Sequence, residues 1–178
     1  MLEFIELETS RLWLKGLTPE NMDFIFTNYS KEEIKQILGH QSDDDYLQEQ
    51  AKQESGYASY NRRFLLFLLI HKDSGTIIGR CGLHNWNISH SRAEIGYNMR
   101  DEAFKNQGFM TEAVEKILHY GFNELKIHRT EAIVGIQNVF SQKILHKLHF
   151  IEEATMKDYF KREDQFEDAI MYSKIFNH

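Results

Sequence analysis

Apolar and polar positions follow two rhythms along this chain, and their order predicts most of a fold. Residues 10–16 alternate with a period of two, Leu12 and Leu14 on one face and Arg11, Trp13 and Lys15 on the other, which predicts a strand. Thr18 before Pro19 predicts a helix start, because a threonine oxygen caps free N–H groups and proline is shaped for the first helical position. Ser30 with Glu33 three residues on is a capping-box pattern; it opens a second helix that ends near Gly39. Residues 43–62 are polar and read as a third helix, interrupted around Ser55 and Gly56. Residues 64–70 are continuously apolar, as in a strand buried on both faces. Asp73, Ser74 and Gly75 then turn the chain into an antiparallel partner over 76–83. Residues 84–90 read as a polar loop carrying Trp86.

The second half is as regular. Residues 92–99 alternate, with Ala93, Ile95, Tyr97 and Met99 facing one way and Arg92, Glu94, Gly96 and Asn98 the other. After the polar stretch Lys105-Asn106-Gln107-Gly108, apolar residues recur at Met110, Ala113, Val114, Ile117, Leu118 and Leu125, which is helical spacing. A strand over 130–136, a helix over 138–148 and closing strands over 150–156 and 166–176 complete the chain. The fold class is therefore α/β (α+β), a mixed and mostly antiparallel central sheet with helices on both faces.

Composition narrows the function classes. A chain of 178 residues, 42% hydrophobic and 27% charged, fits one domain over residues 1–178 with a sizeable core. The formal charge of −6 argues against broad binding to nucleic-acid phosphates and leans toward a cationic partner. The lone cysteine, Cys81, allows no internal disulfide, in keeping with a cytoplasmic protein. Residues 1–6 show no signal-type pattern, so no leader is expected, and no apolar run reaches membrane-spanning length. His, Cys and carboxylates do not cluster at metal-ligand spacing, so no metal is expected. Monomer and homo-oligomer both stay open.

A strand leading through a polar turn into a helix leaves N–H groups unpaired at the positive end of the helix dipole, a site for an anion such as a pyrophosphate. Gly108 would let a ligand approach the backbone closely. Read bare, the stretch fits an ordinary helix start better than a ligand site.

Its neighbours carry a wider likeness. Lys105-Asn106-Gln107-Gly108-Phe109-Met110 resembles the acetyl-coenzyme A loop of the GNAT N-acetyltransferases, which reads Gln or Arg, two free positions, Gly, one free position, then Gly or Ala. Gly108 and a basic first residue are kept. Asn138, Ser141, Leu145, Lys147 and Phe150 resemble the N-x-x-S-x-x-x-L-x-K-x-G-F signature of the RimJ/RimL-like branch, which acetylates α-amino groups of ribosomal proteins. His149 stands at that signature's glycine. The segment from Glu3 to Leu12 and the ending around Lys157, Tyr159, Phe166 and Met171 fit the same branch, so the resemblance spans nearly the whole chain in order.

The resemblance implies a GNAT fold, acetyl-CoA as cosubstrate, and an amine acceptor attacked directly in a ternary complex. It implies a cofactor grip by the backbone of residues 107–111 with charge from Lys105, so that Lys105, Asn106, Gln107, Gly108, Phe109, Met110 and Thr111 are cofactor-binding candidates. Met99, at the end of its strand, is a candidate for holding the thioester carbonyl through a backbone N–H, and Asn138 is a further cofactor contact. Asn138 reads equally as a plain helix N-cap, and Ser141 as a residue that satisfies the same cap. Glu94 is the candidate base; the alternative is a surface ion pair, with Arg92 for example. Many relatives carry a tyrosine where Leu145 stands, as proton donor to the departing thiolate; in the RimJ/RimL-like branch the donor matches Ser141. Tyr57 is a candidate lining of the acceptor pocket. The leading function is acetylation of a protein N-terminal α-amine. The alternatives are acetylation of a small amine, hinted at by Asp43-Asp44-Asp45, and an acetyl-CoA-binding module without turnover.

Overall fold

The computed structural model describes residues 3–56 and 63–176. Tyr57 therefore lies outside the described residues. Eight strands form one sheet in the order β1-β2-β3-β4-β5-β6-β8-β7. They are β1 (Ile5–Glu8), β2 (Leu12–Leu17), β3 (Arg63–His71), β4 (Ile77–Asn87), β5 (Arg92–Met99), β6 (Arg129–Gly135), β7 (Ile151–Arg162) and β8 (Gln165–Ile175). The helices are α1 (Pro19–Asn28), α2 (Lys31–Leu38), α3 (Asp43–Glu54), α4 (Phe109–Asn123) and α5 (Val139–Lys147).

The helix starts follow the expected chemistry. Thr18, Ser30 and Ser42 each cap their helix, and their own backbone N–H groups donate in return to the side chains of Asn21, Glu33 and Asp45. Gly39 ends α2 in the left-handed region at φ 66°, a conformation glycine adopts without cost. The expected third helix stops at Glu54. The expected loop over 84–90 is a correction: β4 runs on to Asn87, with a register shift between His84 and Asn87, and a single 3-10 turn follows. A bulged strand carries polar side chains without the alternation that marks a regular one.

Side-chain alternation gives the sheet two covered faces. On one, α4 buries Phe109, Met110, Ala113, Val114, Ile117, Leu118 and Phe122 against Leu12, Leu14, Phe67, Cys81, Ala93 and Ile95, joined by Leu145 of α5 and by Leu148 just after it. Each large side chain so buried contributes about 1.5–3 kcal/mol relative to exposure. On the other face, Leu17 and Leu68 pack with Met22 and Ile25 of α1 and Ile34 and Leu38 of α2.

Strand β5 sits between an antiparallel neighbour, β4, and a parallel one, β6. Parallel strands need a long crossover, which α4 supplies. The β5–β6 pairing covers only Arg92↔Arg129, Ala93↔Thr130 and Glu94↔Glu131. Beyond Glu94 the two part, β5 staying with β4 and β6 with β8. The sheet is split from there onward.

Candidate active site

The split opens into a cavity of about 590 Å³ between the end of β5, the loop before α4 and the start of α5. It is lined by Tyr97, Asn98 and Met99 from β5, by Glu102, Phe104, Lys105 and Asn106, by Gly108 to Thr111, and by Asn138, Phe140, Ser141, Lys143 and Ile144. Met99, Lys105, Asn106, Gly108, Phe109, Met110, Thr111, Asn138 and Ser141, far apart in sequence, thus line one cavity. Gln107 and Glu94 do not line it.

The start of α4 explains the wall's chemistry. Gly108 is its N-cap at φ 83°, and no side chain caps the helix. Its first backbone bond runs from Glu112 N–H to the Gly108 carbonyl at 3.0 Å. Among the described residues, the N–H groups of residues 109–111 thus have no partner, and they stand at the positive end of a 15-residue helix. Lys105 and Lys143 add cations, although Lys105 is ion-paired with Glu102. This donor set fits a pyrophosphate, and the mixed polar and apolar walls toward Met99 and Ile144 fit a narrow thioester arm. Met110 is both core and wall, only 7% exposed, so its bulk points partly away from the cavity.

On the α5 side, Asn138 caps the helix, its Oδ1 accepting from Ser141 N–H at 3.1 Å. Ser141 faces the cavity, and its carbonyl accepts a 3.3 Å bond from the Tyr97 hydroxyl. Tyr97 therefore bridges β5 and α5 across the split. Burial pushes its phenol up to about 12, against a smaller downward pull from that bond, so it stays protonated. Leu145 is wholly buried in the core. The cavity's phenol comes from the strand instead, and Tyr97 was legible only as an apolar-face residue. Phe140 and Lys143 gave no sequence signal at all.

Glu94 lies on the opposite face of β5, at the last paired position before the split. Its Oε1 stands 3.1 Å from His84 Nε2 and its Oε2 accepts from Asn85 Nδ2 at 2.9 Å. Arg92 goes to Glu131 instead, at 3.0 Å. Burial pushes the Glu94 carboxyl up, but the bonds from His84 and Asn85 and the nearby Arg92 outweigh it and hold it below its ordinary value. The His84 ring lies over Gly96, where a Cβ would come within 2.8 Å of its Cε1.

Two of the three acidic residues that open α3 are engaged. Asp43 binds both Lys31 and Lys35, and Asp45 accepts from the N–H groups of Gln41 and Ser42. Among the described residues no group of His, Cys, Asp and Glu could hold a metal ion, and no helix is long and apolar enough to cross a membrane.

Comparison with known proteins gives the same picture. Residues 11–151 match the acetyltransferase (GNAT) domain family. The chain is 32% identical over 170 residues to the uncharacterized N-acetyltransferase p20 of Bacillus licheniformis, covering 95% of each chain. Among solved structures it is similar to RimL, a ribosomal L7/L12 alpha-N-protein acetyltransferase, with a TM-score of 0.72 at 17% identity over 98% of this chain and 96% of that one. It is also similar to spermidine N-acetyltransferase from Vibrio cholerae, with a TM-score of 0.66 at 20% identity over 94% and 95%.

Proposed function

This chain belongs to the GNAT acetyltransferase family, and from that premise we propose that its acceptor is the α-amino group at the amino terminus of a protein, with ribosomal proteins the leading class. It is an N-acetyltransferase that uses acetyl-CoA. The likenesses to RimL and to spermidine N-acetyltransferase are of fold, so the acceptor has to be argued from the site.

The observation that carries the reading is the state of Glu94. A carboxylate bonded to His84 and Asn85 and held below its ordinary pKa is a weak base. An α-amine titrates near 7.7–8.0 against about 10.4 for an alkylamine such as lysine, so near neutrality a far larger fraction of it is already uncharged and it needs less help from a base. The pairing of Asp43 with Lys31 and Lys35 further lowers the negative charge that a polycation would meet on α3.

Acetyl-CoA supplies the activated acyl group. In this reading the unpaired N–H groups at the start of α4, with Lys105 and Lys143, receive its phosphates. The backbone at the end of β5, around Asn98 and Met99, orients the carbonyl, and Asn138 fixes the first turn of α5 against the cofactor. Glu94 accepts the amine proton through a water, and Ser141 gives the proton that the departing thiolate needs. The domain spans residues 1–178, and an acceptor on the ribosome places the enzyme in the cytoplasm.

Thiol release from acetyl-CoA against two acceptor panels tests the assignment. One panel holds short peptides with a free α-amine and blocked lysines; the other holds polyamines and further small amines. Release with the peptides alone is expected. Release with small amines alone moves the function to small-molecule acetylation. Silence from both panels, with acetyl-CoA still bound, makes the chain a binding module.

A further inference from the structure

The loop ahead of α4 is held from outside by a residue from the other end of the chain. Arg11, just before β2, donates from Nη1 to the Gln107 carbonyl at 3.0 Å. Its Nε and Nη2 grip the Glu112 carboxylate at 2.8 and 2.7 Å, and its guanidinium carbon lies 4.1 Å from the centre of the Phe109 ring. Glu112 also accepts from Ser10 Oγ at 3.0 Å and from Arg11 N–H at 2.9 Å. Arg11 itself does not line the cavity.

Two consequences follow for the first turn of α4. The peptide bond between Gln107 and Gly108 is trans, so its carbonyl and its N–H point in opposite directions. A Gln107 carbonyl drawn toward Arg11 turns the Gly108 N–H away from Arg11, and Gly108 itself lines the cavity. Glu112 is also a negative charge within the turn that would receive phosphates. Left bare, it would oppose them; the forked guanidinium neutralises it at the start of the helix.

We propose that Arg11 is a positioning residue for the pyrophosphate of acetyl-CoA, setting the backbone donors of the α4 turn through the Gln107 carbonyl and Glu112 without touching the ligand. This rests on the reading of that turn as the cofactor grip. The fork is needed as well as the charge, since a lysine cannot hold a carboxylate and a carbonyl in one plane.

The test compares acetyl-CoA with acetyl-pantetheine, which carries the same thioester arm but no pyrophosphate. Affinities for both, by calorimetry and by competition, and melting temperatures are measured for the native chain, Arg11→Ala, Arg11→Lys and Gly108→Trp. Loss of the charge-assisted bonds should weaken acetyl-CoA by about tenfold or more in both Arg11 variants, and leave acetyl-pantetheine within about twofold. An Arg11→Ala chain that fails to fold passes the test to Arg11→Lys. Equal weakening of both ligands would reduce Arg11 to a general structural role and overturn the proposal. Unchanged acetyl-CoA affinity in the Arg11 variants, with binding lost in Gly108→Trp, would overturn it while sparing the loop reading. If Gly108→Trp also binds acetyl-CoA normally, the loop reading falls and this inference falls with it.

Discussion

His149 carries its backbone at φ 60°, in the left-handed region, with its N–H bonded to the His146 carbonyl at 3.0 Å. A side chain with a Cβ is strained there, and the related signature has glycine at this place. His149→Gly should therefore stabilise the fold, relief of strain outweighing the extra chain entropy by about 0.5–1 kcal/mol, seen as a higher urea midpoint at unchanged slope. The signature's glycine made this strain legible in the sequence. The partner of Glu94 was not, because His84 and Asn85 fell in a stretch whose polarity hid a strand. Tyr97 escaped for a different reason. Alternation placed it correctly on the apolar face, but a phenol is an apolar body with a polar tip, and only the fold shows that the tip reaches Ser141 across the split.

At the scale of elements, the caps and turns were written locally and could be read locally: Thr18, Ser30, Gly39 and Gly75 each sit where expected. Strand β1 was missed, being four residues at a sheet edge with Ile5 and Leu7 only partly buried. Strand β7 was read too short because almost every residue along it is exposed, and an edge strand without a buried face carries no hydrophobic signal. β4 presses closest on its neighbour at Gly82, where a Cβ would lie 2.5 Å from the Leu65 carbonyl oxygen and 2.8 Å from Leu66 Cα. Those are backbone atoms in a paired strand and cannot step aside. Gly82→Ala should therefore cost about 2 kcal/mol, read as a lowered urea midpoint, and should separate β3 from β4 beneath the site.

Across the whole molecule, His40, just after α2, is buried against α3 in a way that no local pattern announces. It is 9% exposed, neither ring nitrogen has a hydrogen-bond partner among the described residues, and its ring meets Tyr46 edge-on. Burial first, then Arg80 and Arg100, hold its pKa down at about 4, against a weaker upward pull from Glu49 and Asp45. An unfolded chain takes up that proton below about 6.5 and the folded chain does not, so stability is complete above 6.5 and is lost as pH falls toward 4. His40→Phe should flatten that fall in urea midpoint, by at most about 1.4 kcal/mol per pH unit for one proton. The same region shows how the molecule is divided. α1 and α2 share with Leu17 and Leu68 a core of their own, on the far side of the sheet from the one that seats α4 and the cavity. Substitutions in separate cores add with little interference. A lineage with this architecture can therefore rewrite the first helices while the seat of α4 and the cavity goes on unaltered, so that drift on one side of the sheet need not pass through a form that has lost the other.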